Sequence, residues 1–130
     1  ILMLCTGHFE SLRTETARLI EPDRILPPTV AALVQGGQLG IIVPLVEQIA
    51  SEAGKWAPLG RAPLYAAASP YGGGGASVAE AAPDLAGRGA EILLMDCMGF
   101  VERHRREAAG AGLPVILSNS LIAQLVSEIV

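Results

Sequence analysis

The most constraining feature of the sequence is a set of five short apolar runs in which hydrophobic residues follow one another without alternation. They are Ile1 to Cys5, Leu39 to Pro44, Pro63 to Ala68, Ile92 to Asp96 and Val115 to Leu117. Continuous apolar runs of this length are typical of strands covered on both faces, as in a parallel sheet between two layers of helices. The runs therefore predict five buried strands.

Helical segments are predicted between these strands. The first, residues 29–34, follows two consecutive prolines and ends at a glycine pair. The others cover residues 46–56, 77–87, 101–109 and 120–130. Ser77 and Glu80 have the spacing of a capping box, and Pro83 is expected to bend or break that helix. The alternation predicts an α/β fold, an open and mostly parallel sheet with helices on both faces.

The charge balance argues against two classes of partner. Nine Lys and Arg against thirteen Asp and Glu give a net charge of -4, so no basic surface is expected for nucleic acid or an anionic membrane. Residues 25–46 and 108–127 carry no charge, but prolines and glycines interrupt both stretches, so neither is predicted to span a membrane. We expect a cytoplasmic protein.

The low charge content predicts a face that packs against other protein. Only 17% of the residues are charged, compared with about 25% in an average domain. The chain also begins at Ile1, inside the first apolar run and without a methionine. We expect an N-terminally truncated piece of a longer protein, and a homo-oligomer would account for the same face.

Both cysteines follow predicted strands and precede small turns. Cys5 is followed by Thr6-Gly7, and Cys97 by Met98-Gly99. Open α/β sheets bind ligands at the carboxyl ends of their strands, and the N–H groups of such turns favour a substrate carboxylate or a thiolate. Two thiols across a bound carbon acid can invert its stereocentre, one removing the α-proton and the other returning a proton. The alternative is that both are small core residues.

Other residues at strand ends are candidates for the same site. Those expected to bind substrate are Pro44, Ser69, Tyr71 and Asn119. Residues 118–120 could equally be only the N-cap of the last helix. Asp96 and His8 stand beside the cysteines and could tune them, although Asp96 could instead point away and cap a loop, and His8 could be an exposed loop residue.

Several other features carry no predicted site. With two histidines and no C-x-x-C pair, neither a metal site nor, in a cytosolic chain, a disulfide is predicted. The glycines 72–75 lack the lysine and the spacing of phosphate-binding loops, so a mobile lid or linker is expected. His104 lies in a charged run, residues 102–107, that predicts a solvated helix face. Lys55 and Trp56 are expected to end the second helix, with the Trp ring packed.

Six segments in chain order carry a family resemblance. They are residues 4–9, 21–24, 38–48, 68–71, 96–100 and 112–117. The most specific are Asp-Cys-Met-Gly-Phe at 96–100 and Leu-Gly-Ile-Ile-Val-Pro-Leu-Val-Glu-Gln at 39–48. In these segments the chain resembles the AroM-type proteins of the Asp/Glu/hydantoin racemase superfamily.

The resemblance implies a fold of two similar α/β halves with a cleft between them and one cysteine from each half. Residues 1–37 would be the tail of the N-terminal half with a crossover helix, residues 38–130 the C-terminal half, and the missing N-terminal half a partner. The superfamily includes cofactor-independent amino-acid and hydantoin racemases, maleate isomerase and arylmalonate decarboxylase. It implies a racemase or isomerase of a small carboxylate, without a cofactor, using Cys5 and Cys97 as the acid/base pair.

Two alternatives to an enzyme, neither of which catalyses a reaction, remain open. AroM-type proteins resemble the racemases without an assigned reaction, so the chain could be a ligand-binding or regulatory protein linked to aromatic amino-acid metabolism. A plain α/β domain with buried cysteines is the third reading. Accessible thiols that a carboxylate protects would argue against the last of these.

Overall fold

The computed structural model describes all 130 residues, which form five helices and four strands. In chain order these are α1 (Pro22–Val34), β1 (Leu39–Val43), α2 (Ile49–Glu52), β2 (Leu64–Ala67), α3 (Val78–Gly87), β3 (Ile92–Met95), α4 (Glu102–Ala108), β4 (Val115–Leu117) and α5 (Ser118–Ser127). Short 3-10 turns precede α2, at Val46–Gln48, and follow α4, at Ala109–Ala111. No helix combines the length and the apolar character needed to cross a bilayer.

The four strands form one parallel sheet in the order β2-β1-β3-β4. The central strand β1 pairs with β2 from Gly40↔Leu64 onward and with β3 from Leu39↔Ile92 onward. All five residues of β1 are buried, because neighbouring strands flank it and helices cover both faces. The predicted α/β class and open parallel sheet are confirmed.

Each face of the sheet has its own hydrophobic core, because successive strand side chains point to opposite faces. Ile42, Leu93 and Met95 pack with α3 and α4 on one face, where Leu85 and Phe100 are fully buried. The opposite face packs against α1 and α5. Its buried residues are Leu26, Val30, Leu39, Ile41, Val43, Trp56, Leu94 and Ile122. The predicted helices on both faces are therefore present.

The predicted strand at residues 1–5 is wrong. This segment makes a single bridge between Leu2 and Ile20 and does not join the sheet. Ile1 and Leu4 are exposed, and Leu2 packs only as a partly buried residue against the edge of one core. The segment has the apolar composition of a buried strand, but it pairs only with Ile20, just before α1.

The predicted starts and ends of the first two helices also need correction. α1 begins seven residues earlier than predicted, because Pro22 suits the first helical position and Leu26 is buried in the core. Its two internal prolines do not end it. The second helix is much shorter than residues 46–56, since α2 ends at Glu52. Lys55 and Trp56 therefore lie in the turns beyond it and not at its end.

The remaining helices lie close to their predictions, with one difference in capping. Ser77 precedes α3, and its N–H and hydroxyl donate to Glu80 at 2.7 and 2.9 Å, as the capping-box spacing predicted. The α3 helix continues through Pro83. In contrast, Ser118 is not an N-cap, since α5 begins directly at this residue and its hydroxyl turns inward to the Met95 carbonyl.

Candidate active site

A cavity of about 280 Å³ lies at the carboxyl ends of the two central strands. The chain leaves β1 toward β2 on one side and leaves β3 toward β4 on the other, so the ends of β1 and β3 form a topological switch point. Crevices at such points are the usual ligand sites of open α/β sheets. The walls come from residues 4–7, from Pro44, Gln48 and Glu52, from Tyr71, and from residues 96–99.

Both cysteines line this one cavity. Cys5 is exposed and Cys97 is partly buried. The Gly7 N–H donates to the Cys5 sulfur at 3.4 Å, and the Gly99 N–H donates to the Cys97 sulfur at the same distance. The two thiols thus sit in matching turns, each with an amide from the residue two positions later.

The turn that holds Cys97 is built around a glycine. A Cβ atom at Gly99 would lie 2.7 Å from Cζ of Tyr71 and 3.1 Å from Cγ of Pro70. Only glycine therefore lets the Tyr71 ring lie against this turn. Asn119 supports the turn from the other side, since its amide donates to the Phe100 carbonyl at 2.7 Å and to the Met98 carbonyl at 3.2 Å.

A buried ion pair joins the two cysteine-bearing segments. The Lys55 ammonium donates to the Asp96 carboxylate, next to Cys97, and to the Thr6 carbonyl, next to Cys5, at 2.9 Å. The side chains of Lys55 and Asp96 are 6% and 0% exposed. Ser118 donates to the other carboxylate oxygen of Asp96 at 3.2 Å. One cation therefore fixes the position of both segments.

The sequence profile of one protein family, described as AroM protein, matches residues 1–130, the whole chain. The chain belongs to the AroM family. Neither a curated protein nor a solved structure matches it. The resemblance of the 39–48 and 96–100 segments is confirmed at the level of the family, and both segments contribute residues to the cavity of this AroM chain.

A second carboxyl group, Glu52, lines the cavity of the AroM chain beside the ion pair. It accepts a hydrogen bond from the Trp56 indole at 2.8 Å, and the Lys55 ammonium is 3.7 Å away. Burial raises the pKa of Glu52, the nearby Asp96 charge raises it further, and Lys55 opposes both effects. Burial, with Glu52 and Asp96, also raises the pKa of Tyr65 to about 12. The wall therefore contains two carboxyl groups, Glu52 and Asp96, of which Asp96 is paired with Lys55.

The residues predicted from the sequence fall into two groups. Cys5, Thr6, Gly7, Pro44, Tyr71, Asp96, Cys97, Met98 and Gly99 all line the cavity. Three others do not line it. Ser69 accepts the Tyr71 N–H and faces neighbouring cavities, and Asn119 supports the Cys97 turn. His8 is largely exposed, with its Nδ1 2.6 Å from Asp23.

The position predicted for His104 is wrong. It is only 4% exposed and packs edge-on against Phe100, with ring centroids 5.4 Å apart. Its Nδ1 accepts the Val101 N–H at 2.9 Å, which draws the ring back over the start of α4. The surrounding charged run hides this contact, since its other charged side chains are mostly exposed.

Sequence reasoning also missed Lys55 and Glu52. The predicted second helix includes both residues and gives neither a role in the site. The partners of Lys55, the Asp96 carboxylate and the Thr6 carbonyl, are far away in sequence, whereas the partners of Glu52, Lys55 and Trp56, are close to it. The spacing of Glu52, Lys55 and Trp56, on consecutive turns after a strand end, was the only available signal. No group of three or more His, Cys, Asp and Glu side chains in the structure is arranged to hold a metal ion.

Proposed function

We propose that this AroM protein is a cofactor-independent racemase or isomerase that transfers a proton between the two faces of a small carboxylate. The observation that supports the proposal is that two thiols from different segments line one cavity at the switch point of the sheet. Each sulfur also accepts a backbone N–H from the residue two positions later, so each segment holds its thiol against an amide donor.

The proposed reaction uses the two sulfurs in turn. The Cys5 or Cys97 thiolate removes the α-proton, and the electron pair of the broken C–H bond moves into the carboxylate to give an enediolate. The opposite thiol then donates its proton to the other face of the carbon, forming a new C–H bond. No electrons or groups are lost, so the balance requires no cofactor. Each positioned acid or base contributes about 10²- to 10⁴-fold in rate.

Backbone donors are the proposed partners of the enediolate charge. The Gly7 and Gly99 amides already bond to the sulfurs. The Thr6 and Met98 N–H groups donate to no acceptor within the protein, and both residues line the cavity. Fixed donors that meet developing charge in a small site are the most effective form of transition-state stabilisation.

The charges of the wall favour a substrate that carries nitrogen. No Lys, Arg or His lines the cavity, whereas the carboxyl groups of Glu52 and Asp96 do. Lys55 is already held by Asp96 and the Thr6 carbonyl. An ammonium group or a ring N–H beside the acidic carbon can therefore donate to Glu52, as an amino acid or a hydantoin would.

The test is exchange of the α-proton in D₂O, measured by NMR for both enantiomers of a panel of amino acids and hydantoins, with the protein at its natural length. Cys5→Ser and Cys97→Ser should each lose racemisation by at least about 10². Each variant should also lose exchange preferentially for one enantiomer, and the two preferences should be opposite, because each sulfur serves one face of the carbon.

The matched control is His8→Asn, beside Cys5 in sequence but outside the cavity, which should leave the exchange rate unchanged. Unchanged racemisation in either cysteine variant would refute the two-thiol mechanism. Binding of carboxylates that protects both thiols from iodoacetamide, without exchange on any substrate, would instead support the ligand-binding alternative.

A further inference from the structure

A second cavity, of about 250 Å³, lies between the loop after β2 and the helix α4. Its walls include glycines of the 72–75 loop, the start of α3, and Arg103 and His104. It shares no wall residue with the cavity that contains the cysteines. The cysteine chemistry therefore makes no use of it.

The loop and the helix start supply the cavity with free backbone donors. Gly72, Gly73, Gly74 and Gly75 all have positive φ, between 76° and 107°, a conformation that suits glycine and leaves the wall without side chains. None of the N–H groups from 72 to 76 donates to an acceptor within the protein, nor do those of Val78 and Ala79 at the start of α3. Free N–H groups at a helix start favour an anion.

An independent observation on α4 points to a ligand with acceptor atoms. Because the Val101 N–H donates to Nδ1 of His104 at 2.9 Å, that nitrogen carries the lone pair and Nε2 carries the hydrogen. Nε of Arg103, also an N–H donor, lies 3.3 Å from Nε2. Two donors cannot bond to each other, so the Nε2–H of a residue only 4% exposed has no acceptor in the protein. Such a group is rarely left unsatisfied.

We propose that this cavity binds a phosphoryl group, as inorganic phosphate or a phosphomonoester. Donors converge from three directions, namely the glycine loop, the start of α3, and the Arg103–His104 pair, and a phosphoryl group presents three terminal oxygens to meet them. A single oxygen placed beside Nε2 accepts from both His104 and Arg103. Glu107 is the one acidic side chain in the wall, and its charge opposes the anion.

The test is an NMR titration of amide and imidazole N–H signals with inorganic phosphate, glycerol phosphate and acetate at constant ionic strength. Phosphate should shift the amides of residues 72–79 and the Nε2–H of His104, and acetate should not. Tighter binding of glycerol phosphate would identify a monoester as the ligand, and equal binding would identify free phosphate.

Variants on α4 distinguish phosphate binding in the cavity from a general attraction of phosphate to positive charge. Arg103→Met should weaken phosphate binding by about tenfold or more, the loss expected for a hydrogen bond to a charged group. Arg106→Met removes the same charge from the same helix outside the cavity and should have little effect. Glu107→Gln should tighten binding. All three side chains belong to exposed residues, so the variants are expected to fold.

Three results would overturn the proposal. These are an absence of phosphate-induced shifts at residues 72–79, equal weakening by Arg103→Met and Arg106→Met, and shifts with acetate as large as with phosphate. Since the readout is binding at residues that do not line the cysteine cavity, failure of the racemase proposal would not change these outcomes.

Discussion

Replacing Lys55 by methionine removes the one cation that links the two cysteine segments. Methionine keeps the length and the apolar stem of the side chain but not the ammonium. The Asp96 carboxylate, 0% exposed, then keeps only the Ser118 hydroxyl as a side-chain partner. The Thr6 carbonyl loses its donor, and no cation then offsets the charge of Glu52 beside Asp96.

The cost of this change is large because the pair is buried. Removing one partner of a buried ion pair costs about 3–5 kcal/mol, since the other charge stays in the interior without compensation. An exposed pair is worth about 0–1 kcal/mol. Arg88→Met, which breaks the exposed pair with Asp84 at 3.0 Å, is therefore the matched control.

The loss of folding stability in Lys55→Met should depend on pH in a definite direction. Burial and Asp96 already raise the pKa of Glu52, and Lys55 lowers it, so removing the ammonium raises this pKa further. The folded state then binds more protons than the unfolded state, and stability falls as pH rises. The loss is therefore smaller at about pH 5 than at about pH 8. In the protein without substitutions, the raised pKa of Glu52 also makes stability fall as pH rises, but by less than in Lys55→Met.

Urea unfolding followed by the single tryptophan measures these quantities, since Trp56 is 2% exposed and neighbours Lys55. Adding Asp96→Asn to Lys55→Met should restore part of the lost free energy of unfolding, because the buried charge is removed. A loss below about 1 kcal/mol for Lys55→Met, similar to that of an exposed pair, would refute the argument. So would a double variant whose loss is the sum of the two single losses.

Two glycines give further predictions. Gly40→Ala places a Cβ 2.9 Å from Leu93 and 3.0 Å from Ala90 inside the sheet, so it should lower the free energy of unfolding by about 1–3 kcal/mol, whereas Gly54→Ala, in open space, should not. Gly99→Ala displaces the exposed Tyr71 ring and should leave thermal stability nearly unchanged while slowing proton exchange. A normal exchange rate in Gly99→Ala would show that the Tyr71 contact is not needed.

The sheet could be predicted from the sequence because its strands lie in two hydrophobic cores. The run at residues 39–43 is buried on both faces, and its composition records that burial directly. The run at residues 1–5 is also apolar throughout but has no partner in the sheet. Apolar content shows that a segment can be buried, but whether a sheet is there to bury it depends on the rest of the chain. The strand predicted at residues 1–5 is wrong for this reason.

The candidate site could be predicted only where it follows from a strand end. Cys97 and Asp96 follow β3 in sequence, so the rule for open sheets places them correctly. Lys55 lies 41 residues from Asp96 and 49 from Thr6, and no periodicity connects them. Likewise, burial of His104 depends on the N–H of Val101 and on Phe100, which a charged run conceals.

The buried charges and the cysteine turns together suggest why the site lies at this end of the sheet. A parallel sheet brings the ends of β1 and β3 together, but it does not position the segment of residues 4–7, which joins the sheet through no strand. The Lys55 ammonium supplies that missing constraint through the Thr6 carbonyl. A site in which one thiol comes from the sheet and the other from a non-strand segment therefore needs a strong, directional contact between them. A buried lysine held by Asp96 provides it where hydrophobic packing, which has no direction, cannot.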